Sequence, residues 1–249
     1  MIQIFHKIGE YILLMRKVFS IPDRWSMFFR QLISEIYKLG VDSIGIVFLI
    51  SIFTGAVICL QMALSIESPL LPAYTLGFAT RDTLLLEFSS SIMCLILAGK
   101  VGSNIASEVG TMRITEQIDA LDIMGVNSAN YMILPKAIGL MLFIPVLVIV
   151  SMFFGVIGGY VIALTTDVTT VTKFEIGVQY DFRPFYITYS IIKSVVFAFV
   201  ISTCASFYGY KVDVKGGALE VGKASTDSVV VSSVMILLLD MLLTKIMLQ

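Results

Sequence analysis

Residues 137–166 read AIGLMLFIPVLVIVSMFFGVIGGYVIALTT, thirty positions without a charge, and residues 43–66 read SIGIVFLISIFTGAVICLQMALSI, twenty-four more. A helix rises about 1.5 Å per residue, so roughly 20 apolar residues cross the ~30 Å hydrocarbon core of a bilayer. Both runs are long enough to cross it as helices. Working outward, apolar runs at 83–101, 185–210 and 228–248 bring the expected number of spans to five. Composition agrees: 57% of the 249 residues are hydrophobic, 14% are charged and the mean hydropathy is +0.94, whereas soluble chains carry about 25% charge. The expected fold is an all-α membrane protein, with residues 1–42 forming interfacial amphipathic helices and residues 43–249 a five-span domain.

The same figures argue against a soluble enzyme, a secreted disulfide scaffold or a nucleic-acid binder. A net charge of −1 supplies no basic field for nucleic acid. Cys59, Cys94 and Cys204 each sit inside an apolar run, and a single histidine, His6, gives no partner for a metal site. No metal and no catalytic residue is therefore expected.

Residues 1–43 do not read as a cleaved signal peptide, because Lys7, Arg16, Lys17, Arg24, Arg30 and Lys38 interrupt every apolar stretch. Ile4, Phe5, Ile8, Tyr11, Ile12, Met15, Val18 and Phe19 recur at helical spacing opposite Lys7, Glu10, Arg16 and Lys17, the pattern of a helix lying in the membrane interface. Pro22 ends it, and Trp25, Phe28, Phe29, Leu32, Ile33 and Ile36 lead into the first span. A soluble amphipathic helix would need a soluble core to pack on, and the chain has little. Lys and Arg set the orientation. With the N-terminus inside, the cytoplasmic flanks hold twelve of them and the outer flanks four (Arg81, Lys173, Arg183 and Lys245), so Gln249 is expected on the outer side.

The segment between spans two and three is too charged and too rich in helix formers to be a passive loop. Ile114, Ile118, Leu121 and Met124 fall on one face, with Arg113, Glu116, Gln117 and Asp119 around the other, which predicts a short helix along the cytoplasmic surface. Such a helix is a natural docking element, because a cytoplasmic motor moves spans only through a rigid part that it grips.

The run Gly99–Gly125, GKVGSNIASEVGTMRITEQIDALDIMG, resembles the permease family of the bacterial MlaE type, the membrane subunits of lipid-transporting ABC systems that work with MCE-domain proteins. Gly55–Gln61, Ile191–Ala198 (IIKSVVFA) and Gly216–Val230 (GGALEVGKASTDSVV) agree in the expected order, so the resemblance covers about residues 40–249. One departure lies in the second span: where the family usually reads Arg-Glu-Leu-Gly-Pro, this chain has Leu86-Glu87-Phe88-Ser89-Ser90, keeping the acid and losing the arginine and the helix-bending pair. The resemblance implies a homodimer in a bacterial inner membrane. It also implies two separate ATPase subunits carrying ATP and magnesium, an MCE-domain assembly on the outer side, and phospholipid as substrate, with room for a small accessory regulator. The coupling segment is expected at about 104–126, with Glu108, Arg113, Glu116, Gln117 and Asp119 as motor contacts. No cofactor is expected in this chain. Residues 217–224, GALEVGKA, nearly match a phosphate-binding loop, but Ala224 stands where the magnesium-binding hydroxyl belongs and no soluble strand precedes it.

Charges inside the bilayer cost roughly 2.5–3.5 kcal/mol each on insertion scales, so Glu87, Lys193 and Asp240 need a reason to be there. Glu87 and Lys193 enter from the same face to a depth of roughly 8–13 Å at 1.5 Å per residue. Asp240 falls about 12 Å below the outer edge of a ~30 Å core, so the three are expected in one layer, either stapling the bundle or handling substrate. Ile58, Gln61, Met62 and Ser65 form one helical face near the outer end of span one, suited to an amphiphile or simply to packing. Gly155 and Gly159 form a G-x-x-x-G through which membrane helices approach closely, with Gly158 beside them as a possible kink. Two rival functions remain from other classes. A secondary carrier would use the three charges as an ion relay, though no inverted repeat is evident. A membrane-embedded lipid enzyme would need an acid/base or metal constellation that the sequence lacks.

Overall fold

A computed structural model describes residues 2–22, 24–66, 72, 74–166 and 169–248, with side chains from Phe5 onward. Gln249 and the Ile4 side chain, both used above, lie outside what is described. The elements are α1 (Ile2–Val18), α2 (Trp25–Ser65), α3 (Thr75–Ile114), α4 (Gln117–Ile123), α5 (Ser128–Thr165), α6 (Val171–Gln179), α7 (Phe185–Tyr210) and α8 (Gly217–Leu248, entered through a 3-10 turn at Val214–Gly216). The protein is all-α: no strand occurs among the described residues, and α2, α3, α5, α7 and α8 are long and apolar enough to cross a membrane.

The helices outrun the apolar runs that predicted them. α3 does not stop near residue 101 but continues to Ile114, because Ile105, Ala106 and Val109 are fully buried and keep that stretch packed. The break falls at Glu116, a non-glycine residue in the left-handed region (φ 58°), so Arg113 and Ile114 belong to the end of α3 rather than to the surface helix α4. α2 and α3 also widen into π-helical turns at Ile36–Gly40, Leu84–Ile92 and Ala98–Gly102. The second of these occupies the place where the family's Gly-Pro is missing. Widened turns disturb the regular carbonyl pairing of the helix, and here Ser190 of α7 donates a hydrogen bond to the Leu85 carbonyl.

The chain divides into two compact units. The first comprises Met1–Val41, Leu95–Phe143 and Val196–Leu242. In it the apolar set of α1 is shared out: Met15 and Val18 are buried and the Tyr11 hydroxyl donates to Thr203 at 2.9 Å, whereas Phe5, Ile8 and Ile12 are exposed. The end of α1 leaves carbonyls without helical partners. Asn127 donates to that of Lys17 (3.0 Å), and Asn130 to those of Val18 (2.7 Å) and Ser20 (2.6 Å).

The second unit comprises Asp42–Cys94, Ile144–Val195 and Leu243–Gln249. Its core includes Cys59, Leu76, Ala163 and Phe174. Arg81, 2% exposed, is a structural peg rather than a charge bathing an outer loop. It donates to the carbonyls of Val178 and Tyr180 (both 2.8 Å) at the C-terminal end of α6, where a cation is favoured, and pairs with Asp82 at 2.7 Å. α2 and α5 meet backbone to backbone: a Cβ on Gly55 would run into the Gly155 carbonyl, and one on Gly158 into that of Ile52. Gly158 therefore serves close approach, while Gly159 faces the Phe174 ring. Gly55→Val should accordingly lower stability by about 1–3 kcal/mol through overpacking, whereas Gly45→Ala, which meets nothing within 4 Å, should be neutral or slightly stabilising. Thermal unfolding of the two variants in detergent checks this; equal midpoints would contradict the contact.

Candidate functional site

Two constellations of charge stand out, one in each unit. In the second unit Lys193 of α7 is fully buried, and its ammonium lies 3.4 and 3.3 Å from the two carboxylate oxygens of Glu87 on α3. It also donates to the Tyr189 hydroxyl at 3.1 Å and to Thr244 at 3.5 Å, and it stands 4.8 Å from the centre of the Tyr189 ring. Tyr189 and Thr244 hydrogen-bond each other at 2.8 Å, and Ser91 donates to Glu87 at 3.1 Å. The exposures are unequal: the Glu87 side chain is 42% exposed beside a lysine at 0%. An acid held in place by a buried cation, yet open on its other side, is able to receive a polar group from outside the chain. Tyr189 was readable in advance, since it precedes Lys193 by one helical turn on the same face. Thr244 carried no such signal. Asp240 lies on α8 within the first unit.

The proposed lipid-facing set divides. Ile58 is buried, and Met62 packs against the core around Cys59 and Phe174, while Gln61 and Ser65 are exposed and the Ser65 hydroxyl is turned back onto the Gln61 carbonyl at 2.9 Å. The four do not form one open face, because α3 and α6 cover half of it.

In the first unit Lys136, 2% exposed at the head of α5, bridges Glu35 of α2 (2.7 Å) and Glu108 of α3 (2.9 Å); Glu108 in turn pairs with Lys38 at 2.9 Å. Two acids and two bases from three helices thus form one neutral network. Glu108 is turned into this network, so its carboxylate is committed within the chain. Beyond it, Arg113 pairs with Asp119 at 2.5 Å, joining the end of α3 to α4, and Glu116 and Gln117 are exposed. The buried anchor of α4 is Ile118. Met124, expected on the inner face, instead points outward at 68% exposure, because the helix ends there in a turn at Gly125 (φ +77°); Ile123 beside it is 86% exposed. Two bare apolar side chains at the tip of a charged surface helix are the feature that periodicity alone missed. Residues 217–224 form the first turns of α8. Among the described residues no cluster of His, Cys, Asp and Glu has the makings of a metal site.

The chain is similar to known proteins over most of its length. A family model described as Permease MlaE matches residues 32–246. A probable ABC transporter permease protein of Rickettsia bellii is 32% identical over 98% of this chain and 93% of its own length. The intermembrane phospholipid transport system permease protein MlaE of Haemophilus influenzae is 30% identical over 88% of this chain and 83% of its own. The chloroplastic protein TRIGALACTOSYLDIACYLGLYCEROL 1 of Arabidopsis thaliana is also 30% identical over 88% of this chain, which spans 62% of that longer protein. A match across most of the chain, carried by an all-helical five-span fold, places it: the chain belongs to the MlaE permease family.

Proposed function

We propose that this permease moves phospholipid between a bacterial inner membrane and an MCE-domain assembly on the outer side, as a homodimer driven by two separate ATPase subunits. The N-terminus is cytoplasmic and the C-terminus periplasmic in this reading, from the twelve-to-four distribution of Lys and Arg. The observation that carries the coupling step is the tip of α4. Ile123 and Met124 expose apolar surface on an otherwise charged helix, as does a surface that a partner covers. Glu116 and Gln117 flank them as exposed polar contacts, while the Arg113–Asp119 pair fixes α4 to the end of α3. A motor closing on α4 therefore pushes α3 through a short rigid joint. At the other end of the work, Glu87 offers an open carboxylate to a lipid head group.

Ile123→Asp should reduce co-purification of the ATPase at least tenfold, the equivalent of about 1.4 kcal/mol, and Glu116→Lys should reduce it less. Both should leave the permease folded, since neither side chain is buried. The check is affinity capture of the co-expressed complex together with lipid-stimulated ATPase activity in reconstituted membranes. Full capture and full stimulation with Ile123→Asp would remove α4 from the motor interface.

A further inference from the structure

The first unit contains a pocket of about 530 Å³ that neither charge constellation uses. It lies between the start of α2 and the α4–α5 connection. Met27, Phe28, Leu121 and Met124 give it apolar walls, with Arg24 and Gln31 among its polar lining. The volume falls inside the roughly 300–1,000 Å³ typical of small-ligand sites, and apolar walls with a few convergent polar groups are their usual make-up.

Two polar atoms there await a partner. Among the described residues no carboxylate pairs with the exposed Arg24 guanidinium. The side-chain oxygen of Gln31 is buried and accepts no hydrogen bond, a state that costs about 1–3 kcal/mol unless something donates to it. The surroundings say which molecules reach the pocket. Ile21, Trp25, Phe29 and Ile33, next to its lining in sequence, are all more than half exposed, and an apolar surface of this kind with a tryptophan beside an arginine belongs at the bilayer boundary. Lipid is the solvent there.

We infer that this pocket binds an anionic phospholipid, one acyl chain lying between Met27, Phe28, Leu121 and Met124, the phosphate at Arg24, and a head-group or glycerol hydroxyl donating to Gln31. The site is separate from Glu87 and the head-group end of the proposed path, and it shares only Met124, at its rim, with the tip of α4 offered to the motor. Its occupant touches Leu121 and Met124, so it stiffens the seat of α4. It belongs to the lipid that holds the machine rather than to the lipid it moves.

The test is native mass spectrometry of the full, delipidated chain titrated with dioleoyl phosphatidylglycerol or dioleoyl phosphatidylcholine. The wild type should retain one more phosphatidylglycerol per chain than Leu121→Trp, whose ring fills the pocket. Arg24→Gln should weaken phosphatidylglycerol binding about tenfold and erase its preference over phosphatidylcholine, as loss of a charge-assisted contact does. Arg30→Gln, exposed on the same helix and outside the pocket lining, should change neither. If Leu121→Trp fails to fold, the exposed Arg24→Gln decides alone, and an unchanged preference overturns the inference. Unchanged lipid retention with loss of co-purified ATPase in Leu121→Trp would also overturn it, making the pocket a protein-docking site.

Discussion

Lys136→Met is expected to destabilise the folded permease more than any other single change considered, by about 3–5 kcal/mol, the usual cost of stranding the partners of a buried ion pair. Among the described residues, the ammonium it removes is the only cation in ion-pair contact with Glu35, at 2.7 Å, and one of two in contact with Glu108. Glu35 is itself 8% exposed, and its second oxygen accepts no hydrogen bond among the described residues. Glu108 keeps its ion pair with Lys38, whereas Glu35 keeps only the longer-range attraction of Lys38. Against a total stability on the order of 5–15 kcal/mol, the loss should appear as a large fall in thermal midpoint and in the yield of folded protein from the membrane. Pairing it with Glu35→Gln should recover part of the loss, because the uncompensated charge is then gone. The comparison is made by thermal unfolding in detergent of both single variants and the double; a midpoint for Lys136→Met within error of the wild type would show that the network is not what holds these three helices together.

That network also marks where the sequence stopped being readable. The five spans were legible because a long apolar run, charge-free in two of them and interrupted by one or two charges in the others, has one stable form in lipid, and loop chemistry does not alter it. Lys136 and Arg81 were legible only as flank charges. Their residue type helps set which side of the membrane a loop occupies, but whether the side chain then meets water, a buried carboxylate or the end of a helix depends on neighbours far away in the chain. Arg81 finds the carbonyls of Val178 and Tyr180, and Lys136 finds Glu35, about a hundred residues off in each case. Nothing local encodes those meetings. The break at Glu116 was hidden for a different reason: a left-handed residue is usually announced by glycine, and Thr115-Glu116 carries none. Periodicity therefore ran through the break and placed Met124 inside.

Glu87 and Lys193 were legible for the opposite reason, that a charge in a span is costly enough to demand a partner, and a double-mutant cycle on this pair should give a coupling of about 0.5–3 kcal/mol. The geometry sets the expected asymmetry. Lys193 is fully buried, with Tyr189 and Thr244 oxygens around it as well as Glu87 at 3.3 Å, so Glu87→Gln leaves a desolvated ammonium one carboxylate short. Lys193→Met leaves a carboxylate that is 42% exposed and still receives a hydrogen bond from Ser91, a milder predicament if water or a lipid head group reaches it. The stability loss should therefore be larger for Glu87→Gln than for Lys193→Met, and the double variant should be more stable than the sum of the two losses implies. Lipid transport separates the two roles. If the pair only staples α3 to α7, transport should follow stability and return in the double variant. If the open side of Glu87 receives a head group, the double variant should regain its thermal midpoint and remain inactive, because the staple has been replaced and the receiving acid has not. Coupling below about 0.5 kcal/mol would mean that the two charges do not act on each other. A double variant restored in both midpoint and transport would leave Glu87 a purely structural residue.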